Sequence, residues 1–330
     1  MRGACCTAAK VVNAREAGTA GYLAPPMQRP QVSIIIVSYN TCSVLRACLG
    51  SIRAHAGMPC SVIVVDNASA DGSGAMVKAE FPEVNLIAQS ENLGFSPANN
   101  LGIAQAPGEW IILLNPDTEL RPGALAAWFA AHLAHGAAIS GPRLLNIDGS
   151  LQPSAWKVPG LHSAILELIG LHQLVGAHVY PAGWFAADFE PGFVSGAAML
   201  FHRDWVARIG VLDPALFWCE DTDLCMRITA VGGSCWFIAG ATIMHIGGES
   251  AKRNPKRAIP NQLLSRIKLA RKHRNKVIAG LVAMVIGLHI VTRIMAFGVI
   301  SLLRDEPRAS AYRHAWTRYW DYLIRGDLSI

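Results

Sequence analysis

Four short apolar runs, each closed by polar residues and each of the first three followed by a segment of helical spacing, organise the first third of this chain. Val32 to Ser38 is β-branched and ends at Tyr39 and Asn40; residues 42–56 then repeat apolar positions at Val44, Leu45, Cys48, Leu49 and Ile52. The second run, 61–65, ends in Asp66-Asn67-Ala68-Ser69, and Asp71-Gly72-Ser73 turns the chain into a helix predicted to reach Glu80. The third, 84–87, leads to the turn Asn92-Leu93-Gly94 and a helix over 97–106. The fourth, 110–114, stops abruptly at Asn115-Pro116-Asp117. Strand and helix alternating at short intervals predict an α/β domain with a mostly parallel central sheet flanked by helices. In such sheets a ligand sits outside the carboxyl ends of the strands. Those ends are where Tyr39, Asp66, Asn92 and Asp117 fall.

Beyond residue 120 the pattern predicts an Ala-rich helix over 122–135, a hairpin over 143–150 turning at Asp148-Gly149, and a short apolar helix over 161–171. The remainder of 155–190 reads as an acceptor-side loop. A strand is predicted over 194–201, a helix over 220–231 and a last short strand over 241–245. Residues 277–303 are apolar apart from His289 and Arg293, long enough to cross a bilayer of about 30 Å with some tilt. An in-plane amphipathic helix and a helix buried on the domain are the alternatives.

Composition sharpens this picture in two places. Apolar residues are 52% of the chain and charged residues only 16%, which points to a membrane-associated part. The net charge of +6 is uneven: ten Lys or Arg and no acid lie between Lys252 and Lys276, immediately before the apolar stretch. That juxtaposition favours an anionic lipid surface over nucleic acid. None of the eight cysteines has CxxC spacing, so a zinc site is not indicated, and the thiols read as reduced in a cytoplasmic domain. Residues 1–30 lack an apolar core segment of the secretory kind and read as a disordered lead.

The residues that could carry chemistry sit at the predicted strand and helix ends. Asp66 can accept hydrogen bonds from a ribose or base, although an Asp-Asn turn that caps the next helix uses the same residues. Asp117 offers a hard oxygen to Mg or Mn bridging a diphosphate, and His245, ending the last strand, can complete that site. Trp218-Cys219-Glu220-Asp221-Thr222-Asp223 places three carboxylates in four positions. Asp223 is expected in the first helical turn, where the helix dipole favours it, leaving Glu220 and Asp221 at the entrance beside Trp218. Neighbouring, partly desolvated carboxylates have raised pKa values and suit a general base.

Taken in order, residues 32–40, 64–72, 91–100 and 113–117 resemble the glycosyltransferase family 2 domain with the GT-A fold, and 194–200, 220–224 and His245 fit the same family. The Asn-Leu-Gly-Phe and Asn-Pro-Asp forms are similar to its rhamnosyltransferase-like branch, which builds bacterial cell-surface polysaccharides. The resemblance covers roughly residues 31–250, followed by a basic linker or helix (251–276) and a membrane-associated segment (277–330). It implies an inverting transfer of a sugar, L-rhamnose from dTDP-rhamnose being the specific expectation, from a nucleotide-diphosphate donor to a hydroxyl of a glycan or polyprenyl-diphosphate-linked acceptor. Ser38, Tyr39, Asn40, Asp66, Asn92, Gly94, Asn100 and Asn115 would lie on the nucleotide-sugar side. Asp117 and His245 would hold the divalent metal, Asp221 with Glu220 would supply the base, and Gly196 and Trp218 would face the acceptor. The enzyme is expected at the cytoplasmic face of a bacterial membrane. One departure is that Asn115 stands where the family's DxD motif has its first carboxylate; it brings an oxygen without charge. The competing readings are a polyprenyl-phosphate sugar synthase, a sugar nucleotidyltransferase and a non-catalytic sugar-nucleotide-binding scaffold at the membrane. A nucleotidyltransferase would carry a Gly-rich basic loop after the first strand, where Tyr39-Asn40-Thr41 stands here.

Overall fold

A computed structural model describes residues 32–247, 255–302 and 306–326. The expected lead (1–30), the basic residues Lys252 and Arg253, and the last four residues lie outside them. The chain runs β1 (Val32–Ser38), α1 (Cys42–His55), β2 (Cys60–Asp66), α2 (Ser73–Glu80), β3 (Asn85–Ala88), α3 (Phe95–Gln105) and β4 (Trp110–Leu114). These strands pair in parallel in the order β3-β2-β1-β4, with Ser38 opposite Asp66 and Ile36 opposite Leu114. The chain therefore leaves β1 toward one edge and returns on its other side. That reversal opens a crevice outside the carboxyl ends of β1 and β4. Side chains alternate between the two faces of the sheet. Ile34, Ile36, Val64 and Ile112 meet Leu45 and Leu49 of α1 and Met76 and Val77 of α2, whereas Ile35, Val37, Ile63 and Val65 face Ala98 and Ile103 of α3.

The second half is mixed. It comprises β5 (Thr118–Leu120), α4 (Ala124–Ala134), β6 (Ile139–Leu145), β7 (Leu151–Gln152), β8 (Ala155–Trp156), α5 (Leu161–Leu168), β9 (Phe193–Val194), β10 (Ala198–His202), α6 (Arg203–Ile209), α7 (Glu220–Ala230) and β11 (Cys235–His245). β10 is antiparallel to both β4 and β6, and β11 runs parallel to β6 and antiparallel to β5. Three details depart from the sequence pattern. The apolar run 194–201 is not one strand: Val194 pairs with Ala155 in a small separate sheet, and the main sheet resumes at Ala198. The last strand is eleven residues long and starts at Cys235, with a register shift between Ile238 and Thr242 that lets it bend. The three residues of β5 form a strand through pairing with β11, which no local propensity announces.

Residues 255–326 form three helices, α8 (Pro255–His273), α9 (Lys276–Ser301) and α10 (Pro307–Arg325). Leu263, Ile267, Val282, Ile286, Ile290, Ala315 and Tyr319 make their shared core. α9 and α10 approach closely at Gly287, where an added Cβ would stand 2.7 Å from the Tyr319 hydroxyl. α10 occupies what the apolar pattern alone reads as tail. α9 is the one described helix long and apolar enough to cross a membrane. Its inner face is buried in the bundle, and its outer face exposes Val277, Leu281, Met284, Leu288, Met295 and Val299 in a single stripe.

Much of the basic run is spent inside the molecule. Lys272 and His273 reach the fully buried Asp223, Arg266 pairs with Glu167, and Arg271 stacks on Tyr322. Asp223, expected only as a first-turn carboxylate, is thus the anchor of α8 on the α/β domain.

Candidate active site

The strand ends carry their polar residues into a linked set of turns. Ser38 is buried, with its hydroxyl 2.8 Å from that of Thr41; Tyr39 next to it is half exposed. Asn40 takes a left-handed φ of 54°, and its Oδ1 accepts from the Ala70 amide at 2.8 Å. Asp66 is nearly buried, and its Oδ1 accepts from the Ser69 amide. Gly74 lets α2 close against it, since a Cβ there would lie 2.7 Å from Asp66 Oδ2. Asn67, which the sequence pattern did not single out, ties the next turn in. Its Nδ2 donates to Asn92 Oδ1 at 2.9 Å and to the Gly94 carbonyl at 3.2 Å, while its Oδ1 accepts from the Leu93 amide. Asn100 is placed differently from the rest. Both ends of its amide bind the backbone of Leu212, so it pins the loop before α7.

Asn115, Asp117 and His245 meet at the end of β4. Asp117 Oδ1 lies 3.3 Å from His245 Nε2, and Asp117 Oδ2 accepts from the Gly247 amide at 3.1 Å. Burial pushes this carboxyl up, and the hydrogen bond from the Gly247 amide draws it down. Cys48 sits beneath the turn, 3.6 Å from Thr118 Oγ1, its thiol pushed up to about 12 by burial and so inert.

Gln152, another residue the pattern passed over, sets the histidine tautomer. Its Nε2 donates to Asn146 Oδ1 at 2.9 Å and to the His245 carbonyl at 3.1 Å, which fixes the amide orientation. Its Oε1, 2.6 Å from His245 Nδ1, must then accept a proton from that nitrogen. Nε2 is left with its lone pair directed at Asp117, the tautomer a metal-binding imidazole needs. Asn115 Nδ2 stands 3.4 Å from the same Nε2, so it is the amide nitrogen, not the oxygen, that faces the pair. Among the described residues no group of three or more His, Cys, Asp or Glu is placed to hold a metal ion. Among the described residues Asp117 and His245 are the two donors, an arrangement that suits a hard cation taking its other ligands from substrate phosphates and water.

The carboxylate pair at the start of α7 closes the other side. The Gly196 amide donates to Asp221 Oδ2 at 3.0 Å, and the Thr222 amide donates to Asp221 Oδ1 at 2.6 Å. Glu220 Oε2 accepts from the Trp218 amide at 2.6 Å. Burial raises the pKa of both carboxyls, and the Asp221 charge raises Glu220 further; the amides of Gly196 and Thr222 offset part of this at Asp221. Trp218 holds a φ of 93°, and the three non-glycine residues with positive φ among the described residues, Asn40, Ala68 and Trp218, all flank this crevice. Strain of that kind, about 1–3 kcal/mol per residue, persists where the surrounding structure enforces it and is typical of functional sites.

The dipeptide Gly196-Ala197 joins the two halves. The Ala197 carbonyl accepts from the Asn115 amide at 2.8 Å, while the Gly196 amide holds Asp221. The interruption of the 194–201 run is what allows this. Three backbone residues leave the sheet between Val194 and Ala198, and a Cβ on Gly196 would already touch Asp221 at 3.4 Å.

Comparison with known proteins identifies the family and the fold. A family model described as Glycosyl transferase family 2 matches residues 33–210. The N-acetylglucosaminyl-diphospho-decaprenol L-rhamnosyltransferase of Mycobacterium tuberculosis is 30% identical over 244 residues, covering 67% of this chain and 78% of that protein. The succinoglycan biosynthesis protein ExoO of Rhizobium meliloti is 30% identical over 214 residues, covering 62% of this chain and 58% of its own length. Among solved structures, the mannosyltransferase PcManGT from Pyrobaculum calidifontis, in complex with GDP-Man and Mn2+, superposes with a TM-score of 0.56 at 15% identity, covering 91% of this chain and 89% of that one. That likeness speaks to the GT-A-type fold. With the family model spanning more than half the chain, and a 30% identical relative covered over most of its length, this protein is a glycosyltransferase of family 2, similar to rhamnosyltransferases of polysaccharide biosynthesis.

Proposed function

We propose that the protein transfers a deoxyhexose, L-rhamnose from a dTDP donor in the specific form of the reading, to a hydroxyl of a lipid-linked glycan with inversion at the anomeric carbon. The observation that supports this is the Gly196-Ala197 bridge, which joins the turn carrying Asp117, where it meets His245, to a pair of buried carboxylates of raised pKa. Asp66, with Ser38 and Tyr39, lines the nucleoside end, and the turn Asn92 to Gly94 closes over it. Asp117 and His245 would hold the cation. A bound divalent cation offsets the charge that develops on the departing diphosphate. Asp221 takes the acceptor's hydroxyl proton as its oxygen attacks the face opposite the leaving group. One base and one displacement suffice, so no enzyme nucleophile is called for. Its burial beside Glu220 raises proton affinity toward the working pH, which is what a general base requires.

The relative's printed activity on an N-acetylglucosaminyl-diphospho-decaprenol supports a prenyl-diphosphate-linked acceptor here. The exposed apolar stripe of α9 supports docking on a membrane surface rather than a span, because its opposite face is already buried. The deciding experiment is transfer from dTDP-rhamnose to a lipid-linked N-acetylglucosamine by wild type and Asp221→Asn. The variant should keep the thermal shift with nucleotide and Mn2+ and lose about 100-fold or more in turnover. Turnover within a few-fold of wild type would remove Asp221 from the role of base.

A further inference from the structure

A cavity of about 460 Å3 lies between α5, the turn that follows it, and the three C-terminal helices. None of its lining residues belongs to the donor site, and three arginines against the one carboxylate of Glu167 make the lining cationic. Arg266, Arg293 and Arg308 converge on it, with His172 and His289 between them. Two of the three guanidinium groups are already matched. Arg266 pairs with Glu167, and Arg308 is held by Glu306 through two bonds of 2.7 Å. Arg293 makes only a long bond, 3.3 Å, to the Glu167 carbonyl, and among the described residues no carboxylate pairs with it. His289 is nine-tenths buried, and its Nδ1 has no partner; the same holds for Nδ1 of His172. Burial together with the Arg293 charge pushes the His289 imidazolium down to about 4, so the ring is neutral and offers an unused polar nitrogen.

Two orphaned ring nitrogens beside an arginine that pairs with no carboxylate among the described residues are groups an anion entering the cavity would satisfy. The walls add a second requirement. Ile259, Leu263 and Phe297 line the same space. The lip beside His172 exposes Ile169, Leu171, Leu174 and Val175, an apolar edge on a turn that water alone would not favour. A small free anion has no use for those walls; an anion carried on an aliphatic chain does.

The helix that walls the cavity also packs on the segment carrying Asp221. On α8, Ser265 binds both the amide and the carbonyl of Phe217, at 3.1 and 2.6 Å, and Leu269 packs on Cys219. Arg266 is the next residue on that helix, so the cationic wall and the 216–221 segment that carries Asp221 are backed by one rigid element. We propose that this cavity binds the diphosphate of a prenyl-diphosphate-linked acceptor, with Arg293 as its principal anchor and the first isoprene units against Phe297 and the apolar lip. The site rests on the transferase reading above and names where that reaction's acceptor is held.

The test uses the full-length protein in detergent with farnesyl diphosphate as probe, inorganic pyrophosphate and farnesol as comparison arms, and saturating nucleotide and Mn2+ present throughout. Farnesyl diphosphate should bind at least tenfold more tightly than either arm. Arg293→Gln should weaken it tenfold or more, Arg293→Lys should restore most of the loss, and Asp117→Ala should leave it unchanged. Gln173→Trp, at an exposed position on the mouth, should block binding without touching the packing. Pyrophosphate binding as tightly as farnesyl diphosphate would make this a free-anion site and overturn the proposal. So would equal affinity in Arg293→Gln and Gln173→Trp, or loss in Asp117→Ala, which would assign the probe to the donor site. The transferase reading is scored separately by the nucleotide-induced thermal shift and by Asp221-dependent turnover, so either can fail without the other.

Discussion

Replacing Gln152 by leucine removes the group that decides which nitrogen of His245 faces Asp117. The amide is held on three sides, by Asn146 Oδ1, the His245 carbonyl and His245 Nδ1. Leucine keeps the volume and deletes all three bonds, so the ring is free to place its proton on Nε2, where it would bond Asp117 instead of leaving a lone pair there. Partners that orient a metal-bound histidine are worth about 10–100-fold in metal affinity, or about 1.4–2.7 kcal/mol. The bond to the His245 carbonyl adds a stability cost of about 1 kcal/mol that is separate from the metal. Gln152→Glu divides the two effects: it keeps an acceptor for Nδ1–H and loses the donor to the carbonyl. Free Mn2+ followed by electron paramagnetic resonance, during titration into protein saturated with nucleotide, reads the affinity directly. The leucine variant should bind Mn2+ 10–100-fold more weakly, and the glutamate variant should stay within a few-fold of wild type. If both variants bind Mn2+ within twofold of wild type while unfolding cooperatively, the tautomer argument is wrong.

Four further outcomes are expected. Asp223→Ala strands Arg227, Lys272 and His273 around a buried gap and should cost about 3–5 kcal/mol in a urea titration, freeing α8 from the domain. The pH profile of kcat/KM should have its acid limb above the ordinary carboxylate range, because turnover needs Asp221 ionised and burial raises its pKa; Glu220→Gln should leave that limb in place, since burial and the Asp221 charge keep Glu220 protonated and uncharged where Asp221 ionises. The shift is of opposite sign at Glu167, where burial raises the carboxyl but His178 and Arg266 outweigh it and hold the pKa at about 2, against 4.5 unperturbed. That group contributes about 3 kcal/mol which is present above pH 4.5 and lost as pH falls toward 2, so the acid unfolding midpoint of Glu167→Gln should be less steep in pH over that window. Paired Met284→Glu and Leu288→Glu changes on the exposed stripe should move the protein from the membrane to the soluble fraction with its thermal midpoint unchanged; persistence in the membrane would dismiss that stripe as the contact.

The sequence by itself determined the parallel half of the fold and which polar residues stand at its strand ends. Continuous β-branched runs such as Val32–Ser38 have to be buried on both faces, and a run that stops at Asp66 or Asp117 puts a carboxylate at a strand end wherever the strand lies in the sheet. Asp221 was legible for the same kind of reason, since three carboxylates at a helix start leave some without a helical task. What only the tertiary structure decided was every relation that depends on long-range pairing. β5 exists because β11 passes beside it, and the 194–201 run breaks because Gly196 is drawn out of the sheet toward Asp221. Asn67 and Gln152 are polar residues of ordinary spacing, and their importance lies in partners 25 and 93 positions away. Asn100, an expected donor-side residue, bonds the Leu212 backbone through both ends of its amide, a pairing set by the way α3 meets the loop before α7. The basic run read as a lipid-facing surface from charge alone, yet burial of Asp223 and Glu167 in front of it turns much of that charge inward. Local pattern fixes which groups are available, because periodicity and burial are properties of a segment. Which of them meet is set by the packing of distant segments, and no window along the chain contains it.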